Sequence, residues 1–345
     1  MTLVAKPVPL LAEMLAAAVL LSACESPNER LPEYELAGQT MGTTYSVKLV
    51  APDENIDRIG LGEKLHEKLV YIDGSMSTYD QNSELSRFNA AESTDWIIVS
   101  AELCSVISSA LDLSSRTDGA FDITVGPLVN LWGFGPEGVI SVPPADDQIT
   151  AARSRIGFEK VSTDCGLPAI KKDQTDIYVD LSAFAKGYAV DQSAELLEAN
   201  DVANYLVEIG GELRVGGHNA AGKPWAIAVE KPLDNTREVQ SVMNLTNSAV
   251  ATSGDYRNFF EYDGNRYSHT IDPRSGRPVT HEGAAVTVVS DSAADADALA
   301  TALLVLGPDD GLKFATNQGI AANFLVRTDS GIEQQRTAGF SALVN

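Results

Sequence analysis

The segment SAADADALATALLVLG carries two hard oxygen groups at helical spacing. If this segment forms a helix, Asp297 and Thr301 lie four residues apart and project from one face, while leucines cover the other side. Carboxylate and hydroxyl oxygens favour Mg²⁺ or Ca²⁺ over zinc. An alternative stays open, in which Asp297 is a favourable charge in the first turns and Thr301 bonds to the carbonyl four residues earlier.

A second segment, VDLSAFAKGYAVDQ, reads as a strand that continues into a helix. Asp180 would end the strand, Ser182 would be the helix N-cap, and Lys186 would lie in the first turn. Ligands of layered α/β folds bind where strand ends meet helix starts. An exposed pair of Asp180 and Lys186 explains the pattern equally well. The helix should also bury a narrow face of small and apolar residues, namely Ala183, Gly187, Val190, Ala194 and Leu197.

Three other patterns do not qualify as sites. GFGPEG has the spacing of a dinucleotide-binding loop, but the VISVPP that follows cannot open the helix which that loop requires. GHNAAGKP comes within one residue of a phosphate-binding loop, yet Pro224 replaces the Ser or Thr that would hold magnesium. The four histidines and the cysteines lack the spacing of a zinc site.

The charge of the chain limits its partners. Its 345 residues include 25 basic and 48 acidic ones, a net charge of −23, with no basic cluster that could follow a nucleic-acid backbone. Nucleic acid is therefore not expected as a partner. An acidic protein that handles an anionic ligand must neutralise it locally, so the composition favours a bound metal ion.

Periodicity predicts the elements that position these residues. YELAGQTMGTTYSVKLVA reads as a hairpin that turns near Met41 and Gly42. Strands are also predicted at DIYVDL, NYLVEIG, PWAIAVEKP, SVMNL and AAVTVVS. Helices are predicted over residues 56–76, 101–119, 182–199 and 293–306. Helices interspersed with hairpin-like strands indicate α/β or α+β layers rather than a purely parallel sheet.

The N-terminus has the architecture of an export signal. Lys6 precedes the apolar stretch MLAAAVLLSAC, which is too short to span a bilayer. LSAC resembles the lipobox of bacterial lipoproteins, which predicts a signal peptide over residues 1–23, a lipidated Cys24 and a linker over residues 24–36. Ordinary secretion or a missed start codon are the alternatives. After export, Cys104 and Cys165 could pair or remain buried thiols.

Eight segments, in this order along the chain, resemble the FAD:protein FMN transferase (ApbE) family. They are TMGTTYSV, MSTYDQNSELSRFN, GAFDITVGPLVNLWGFG, DLSAFAKGYAVD, YLVEIGGELRVGG, ATSGDYRNFFE, YSHTIDPRSGRPV and DADALATALLVLG. One such match would be weak, whereas eight in order are specific. The resemblance implies an α+β fold over residues 37–345, with mixed layers of helices and antiparallel sheets of the T-fold-like kind.

The resemblance also implies a reaction. The family cleaves the pyrophosphate of FAD with Mg²⁺ and attaches FMN to a threonine of an acceptor protein, such as a subunit of a sodium-pumping quinone oxidoreductase or a related electron-transfer complex. It further implies a protein anchored by lipid on the periplasmic side of the inner membrane. Two alternatives remain, an FAD pyrophosphatase that gives FMN and AMP, and a periplasmic flavin-binding lipoprotein without chemistry.

The motif positions imply a flavin site. Tyr79 would stack on the isoalloxazine, which Met41 would also contact. Residues 120–122 would line the adenosine or ribityl side, and three further side chains would complete the site. The full implied set is Met41, Tyr79, Ala120, Phe121, Asp122, Asp180, Lys186 and Ile271.

A metal site and a base are implied in the same way. The metal would sit on Asp297, Thr301 and the backbone carbonyl of Ala183, and His269 would be a candidate base for the acceptor hydroxyl. Two positions depart from some family members. Ala300 stands where these members have an acidic residue before the metal-binding threonine. Lys186 also replaces an acidic residue, so its ammonium could contact phosphate instead.

Overall fold

The computed structural model describes residues 30–51, 57–233, 238–256 and 258–344. Its helices are α1 (Arg58–Met76), α2 (Glu84–Ala90), α3 (Ala101–Arg116), α4 (Gly126–Leu131), α5 (Asp146–Arg153), α6 (Ala185–Glu198), α7 (Ala293–Asn317) and α8 (Ala338–Ser341). Its strands are β1 (Glu33–Thr40), β2 (Thr43–Val50), β3 (Ile97–Ile98), β4 (Val161–Asp164), β5 (Ala169–Lys172), β6 (Tyr205–Ile209), β7 (Glu212–Gly216), β8 (Trp225–Glu230), β9 (Val239–Leu245), β10 (Ser248–Gly254), β11 (Phe259–Tyr262), β12 (Asn265–Ser268), β13 (Ile271–Asp272), β14 (Arg277–Pro278), β15 (Gly283–Ser290), β16 (Ala321–Thr328) and β17 (Gly331–Arg336).

An eight-stranded sheet in the order β1-β2-β6-β7-β10-β15-β16-β17 forms the centre of the molecule. Each neighbouring pair in it is antiparallel over the described residues. β1 and β2 form the predicted hairpin, with Thr40 opposite Thr43 across the turn. This mixture of helices and antiparallel sheets confirms the predicted α+β class.

Helices cover one face of the central sheet and a hairpin covers the other. In β10, Ala249 and Ala251 join the core that includes residues of α1, α3, α6 and α7. Val250, between them, belongs to the core beneath the β8–β9 hairpin. Successive side chains of a strand point to opposite faces, so an unbroken apolar run is buried on both sides. The sheet is therefore a fixed platform for α6 and α7.

α6 and α7 pack closely because a glycine lies between them. A Cβ at Gly187 would lie 2.2 Å from the carbonyl oxygen of Ala293. Asp191 adds polar contacts, since its carboxylate accepts hydrogen bonds from the backbone N–H groups of Ala293 and Ala294 at 2.9 and 3.0 Å. The same carboxylate accepts from Arg214 on β7 at 3.0 Å. The start of α7 is thus tied to α6 and to the sheet, as the predicted close-packing face requires.

The predicted strand DIYVDL is wrong. Residues 177–181 are not in a strand, because the backbone groups of Val179 bond to a side chain instead of a neighbouring strand. The Asn89 side chain donates to the Val179 carbonyl and accepts from its N–H, both at 2.8 Å. The next residue, Asp180, donates its N–H to the carbonyl of Ile123 at 2.7 Å. These contacts hold the segment extended without a sheet.

The predicted N-cap of α6 is also wrong. Phe184 occupies the N-cap position and makes no side-chain capping bond. Ser182 turns back instead and donates its hydroxyl to Asp180 Oδ1 at 2.5 Å. α7 extends past the predicted end at residue 306, through a kink at Gly307, where φ is 81°, and through Pro308.

The N-terminal predictions fall largely beyond the structural description. The signal peptide over residues 1–23 and the lipidated Cys24 lie outside the described residues. The predicted linker enters the description at residue 30, and β1 begins inside it at Glu33. Cys104 and Cys165 form a disulfide, with their Cα atoms 5.7 Å apart. Of the two alternatives, the fold therefore contains the paired cysteines and not two buried thiols. No helix of the described part is long and apolar enough to cross a membrane.

Candidate active site

A cavity of about 710 Å³ gathers most of the predicted site residues. Its size lies in the range of small-molecule and cofactor pockets. Segments distant in sequence form its walls, including the starts of α6 and α7, the turn between β6 and β7, and the segment before β13. Eleven predicted residues line it, namely Tyr79, Ala120, Phe121, Asp122, Asp180, Ala183, Lys186, His269, Ile271, Asp297 and Thr301.

The α6–α7 wall of the cavity presents oxygen groups held in place by the helix packing. Asp297 is 3% exposed, and its Oδ2 accepts from the backbone N–H of Gly187 at 3.3 Å and from Lys186 Nζ at 3.5 Å. One turn later, the Thr301 hydroxyl bonds to the Ser253 hydroxyl of β10 at 2.9 Å. The two side chains that the sequence placed on one helical face therefore both reach the cavity.

Lys186 and Glu212 extend this wall. Lys186 Nζ lies 3.5 Å from Glu212 Oε1 and 3.5 Å from Asp297 Oδ2, so Lys186 is not the exposed partner of Asp180. Burial lowers the pKa of Lys186, but the two carboxylates outweigh this and leave it raised. Burial raises the pKa of Glu212, and Asp297 raises it further, against the opposing effect of Lys186.

Sequence reasoning missed Glu212. The available signal was the glycine pair of EIGGEL, since paired glycines usually mark a turn or bulge. Gly210 and Gly211 have φ of 62° and 110°, the left-handed region that glycine adopts without steric cost. This tight turn between β6 and β7 brings Glu212 to the cavity. The sequence shows the glycine turn but not the contact of Glu212 with Lys186, because Lys186 lies on a different element.

The donor atoms of this wall suit a hard cation. Asp297 has a carboxylate, Thr301 a hydroxyl and Ala183 a backbone carbonyl, which are oxygen ligands of the kind that Mg²⁺ binds, and all three residues line the cavity. Glu212 adds a second carboxylate, whose Oε2 is buried without a hydrogen-bond partner among the described residues. The described part of the chain contains no group of three or more His, Cys, Asp or Glu side chains that could hold a metal ion by themselves. A cation here would therefore keep water or substrate oxygens among its ligands.

Asp180 and Asp122 are engaged with the backbone of their own loops. Asp180 Oδ1 accepts from the N–H and hydroxyl of Ser182, which shapes the entry to α6. Asp122 Oδ1 accepts from the N–H and hydroxyl of Thr124, and its Oδ2 accepts from the N–H of Phe158. Burial raises the pKa of Asp122, while these hydrogen bonds lower it in part. Through these hydrogen bonds, both carboxylates stabilise the loops that form the cavity wall.

The predicted isoalloxazine contacts differ in their placement. Tyr79 lines the cavity with 68% of its surface exposed, so its ring is available for stacking. Met41 is not among the cavity-lining residues; it occupies the β1–β2 turn with a φ of 48° and packs against the helix-side core. Its neighbours Thr43 and Thr44 line the cavity instead. A flavin contact of Met41 stays a prediction that this structure does not place at the cavity.

His269 faces the cavity with a defined tautomer. Its Nδ1 lies 3.2 Å from the carbonyl oxygen of Asn258, which also accepts the His269 backbone N–H at 3.0 Å. A carbonyl oxygen only accepts, so Nδ1 must carry the hydrogen and Nε2 the lone pair. Burial lowers the pKa of the imidazole, which favours its neutral form. The arrangement can accept a proton from a hydroxyl in the cavity.

The chain is similar to known proteins over nearly its whole length. The model of the ApbE family matches residues 41–324. The chain is 43% identical to the FAD:protein FMN transferase of Vibrio cholerae, over 96% of this chain and 98% of the relative. It is 42% identical to the enzyme of the same name from Haemophilus influenzae, over 95% and 96% of the two chains.

Solved structures agree with these sequence relationships. The flavin transferase ApbE from Vibrio cholerae superposes with a TM-score of 0.84 at 42% identity, covering 90% of this chain and 99% of that one. The apo form of the flavinyl transferase ApbE from Pseudomonas stutzeri gives a TM-score of 0.83 at 40% identity, covering 90% and 96%. The chain belongs to the ApbE family.

Proposed function

We propose that this chain is a transferase that moves FMN from FAD to a threonine hydroxyl of an acceptor protein and releases AMP. One observation carries the proposal: His269, whose Nδ1 is bonded to Asn258, lines the same cavity as Asp297 and Thr301. A base and a cation site facing the same space are what transfer of a phosphoryl-linked group to a hydroxyl requires. The names of the similar proteins support the same reaction.

His269 is the proposed base. The threonine oxygen forms a bond to the phosphorus of the FMN portion, and the bond from that phosphorus to the AMP oxygen breaks. The hydroxyl proton passes to His269 Nε2, and the electron pair of the broken bond leaves with AMP. The hydrogen bond from Nδ1 to Asn258 holds the ring in this tautomer. Its lowered pKa keeps the ring neutral and ready to accept a proton near pH 7.

The α6–α7 wall is the proposed phosphate-binding side. A bound Mg²⁺ would supply positive charge against the negative charge that develops on the phosphate oxygens. Asp297, Thr301 and the carbonyl of Ala183 would hold it. The Lys186 side chain is 28% exposed and adds a cation on the same wall. These groups orient the pyrophosphate relative to His269, and such positioning is most of what an enzyme contributes to this chemistry.

The flavin and nucleotide portions would contact the remaining walls. The exposed ring of Tyr79 offers a stacking surface, and the buried side chains of Phe121 and Ile271 offer apolar contact. The backbone around Ala120 and Asp122 would bound the adenosine or ribityl side.

The proposed acceptor is an exported or membrane redox protein, such as a subunit of a sodium-pumping quinone oxidoreductase or a related electron-transfer complex. The export signal and lipobox-like LSAC support a protein anchored through Cys24 on the periplasmic side of the inner membrane. The disulfide between Cys104 and Cys165 is consistent with an oxidising compartment.

The test uses purified protein, FAD, MgCl₂ and the exported proteins of the host, followed by denaturing gel electrophoresis and a scan for flavin fluorescence. We expect a fluorescent band whose peptide carries FMN on threonine by mass spectrometry, and no band with His269→Ala. AMP release without a labelled band would replace the transferase with an FAD pyrophosphatase. Unchanged FAD in both measurements would leave only a flavin-binding protein.

A further inference from the structure

Lys186 is held between two buried carboxylates at the cavity wall. Its ammonium lies 3.5 Å from Glu212 Oε1 and 3.5 Å from Asp297 Oδ2, and it donates to the Ser182 carbonyl at 3.3 Å. Glu212 and Asp297 are 5% and 3% exposed. Buried carboxylates need a partner charge, and here the side chain of α6 supplies it.

Glu212 keeps unused capacity to bind a cation. Its Oε1 faces Lys186, while its Oε2 is buried and has no hydrogen-bond partner among the described residues. A buried carboxylate oxygen without a partner is rare in folded proteins and indicates a group that is satisfied by something else, such as an ion or water. Glu212 also lines the same cavity as Asp297 and Thr301.

We propose that Glu212 is a further carboxylate of the cation site, and that Lys186 is the cation which this site holds when no metal is bound. A divalent ion and the Lys186 ammonium then compete for Asp297. The inference rests on the proposed function, because the metal site belongs to that proposal. It goes further in assigning Glu212 to the site and in making Lys186 a competitor of the metal rather than only a ligand of the flavin substrate.

The two residues should have opposite effects on metal affinity. In the metal-bound site both carboxylates are ionised, so the cluster of Lys186, Glu212 and Asp297 has one net negative charge there. Lys186→Met increases the negative charge, and Glu212→Gln removes one negative charge and a ligand oxygen. A unit charge ~6 Å from a divalent ion changes its affinity roughly tenfold even at the dielectric constant of bulk water. We therefore expect roughly tenfold tighter binding in Lys186→Met and roughly tenfold weaker binding in Glu212→Gln.

The experiment titrates the protein with MnCl₂ alone, without FAD or acceptor, by calorimetry and by the electron paramagnetic resonance of free Mn²⁺. Lys223→Met is the matched control, because Lys223 is exposed and outside the cavity lining. We expect its affinity to equal that of the parent protein. The variant with both Lys186→Met and Glu212→Gln should bind Mn²⁺ within a few fold of the parent, since the two charge changes cancel.

A second measurement covers variants that fold poorly without metal. Mn²⁺ should raise the unfolding temperature of Lys186→Met more than that of the parent protein, because ligand that binds only the folded state stabilises it in proportion to its affinity. Equal Mn²⁺ affinity in the parent, Lys186→Met and Glu212→Gln proteins would overturn the proposal, as would no Mn²⁺ binding in any of them. Failure of FMN transfer alone would leave these titrations unchanged, so it would count against the proposed function only.

Discussion

The two sides of the cavity are built differently. On the α6–α7 wall, Asp297 is 3% exposed, and helix packing at Gly187 places the backbones in contact. At the exposed part of the cavity lining, here called the rim, Tyr79 is 68% exposed, and its N–H bonds to the nearby Ser77 hydroxyl at 3.2 Å. The side chains of the wall are therefore fixed by packing within the protein. The exposed side chain of Tyr79 is free to make its contacts with a ligand.

This difference follows from the chemistry proposed for each side. Charged groups that act on a phosphate must be fixed in advance, because rearranging them during the reaction would cost much of their benefit. Stacking on a planar ring tolerates small displacements and needs mainly an accessible face. Substitutions in the wall should therefore affect catalysis and stability, and substitutions at the rim should affect affinity.

The largest effect is expected from the wall carboxylate. Asp297→Ala should abolish metal dependence and lower the transfer rate by roughly 10⁴-fold, because a metal supplies several kcal/mol of charge stabilisation. Asp295→Ala is the matched control, since Asp295 is an exposed carboxylate of the same helix. The measurement is the initial rate of FMN transfer as a function of MgCl₂ concentration. Retained magnesium-dependent transfer in Asp297→Ala would remove the wall from the mechanism.

The next effect tests the proposed base, His269. His269→Ala should keep FAD binding but lower the transfer rate roughly 10³-fold, within the range that a general base contributes. His66→Ala, at an exposed position on α1, should transfer at the parent rate. Flavin fluorescence of the acceptor measures the rate. If His269→Ala transferred FMN at the parent rate, another group would have to accept the proton.

The pH dependence gives a second view of the same residue. A base must be neutral, so activity falls as pH decreases through its pKa. Burial lowers the pKa of His269, which should put the acidic limb of kcat/KM below the ordinary value of about 6.5. The limb should disappear from the residual activity of His269→Ala. A limb centred above pH 6.5 would contradict this assignment.

A smaller effect tests the packing of the wall. In Gly187→Ala the new methyl would meet backbone atoms of α7 at 2.2 to 2.7 Å, so the helices must separate. We expect a loss of about 1–3 kcal/mol in the free energy of unfolding, measured in urea. Gly74→Ala is the control, because its Cβ would meet nothing within 4 Å on helix α1. That control should be neutral or slightly stabilising.

The smallest effect is expected at the rim. Tyr79→Ala should weaken FAD binding about threefold to tenfold, the loss of one aromatic stacking contact, and leave the rate at saturating FAD unchanged. Tyr79→Phe keeps the ring and should bind as the parent does. Fluorescence titration with FAD measures both. A large fall in the rate at saturation would mean that the rim is part of the catalytic arrangement, against the division made above.

Local patterns were sufficient for much of the fold. Alternating apolar residues predicted the β1–β2 hairpin and the strands β6, β8, β9 and β15, but not the other described strands. Helical spacing placed Asp297 and Thr301 on one face. The order of eight segments then indicated the family and eleven of the residues that line the cavity. These features depend on neighbours within a few positions along the chain, where the backbone period alone decides which side chains share a face.

Contacts between distant segments could not be obtained this way. Sequence spacing left open a surface pair of Lys186 and Asp180, whereas the fold pairs Lys186 with Glu212 and Asp297. The strand predicted around Val179 failed for the same reason, since a side chain from α2 takes its backbone hydrogen bonds.

The sequence by itself determined several of the elements, the family and the kinds of groups available for chemistry. The tertiary structure alone decided which of these groups meet: it joined Cys104 to Cys165, placed Glu212 beside Lys186, and left Met41 off the cavity. The physical reason is that periodicity sets the direction of a side chain relative to its own element. The packing of separate elements sets which charges and hydrogen-bonding groups come within contact distance.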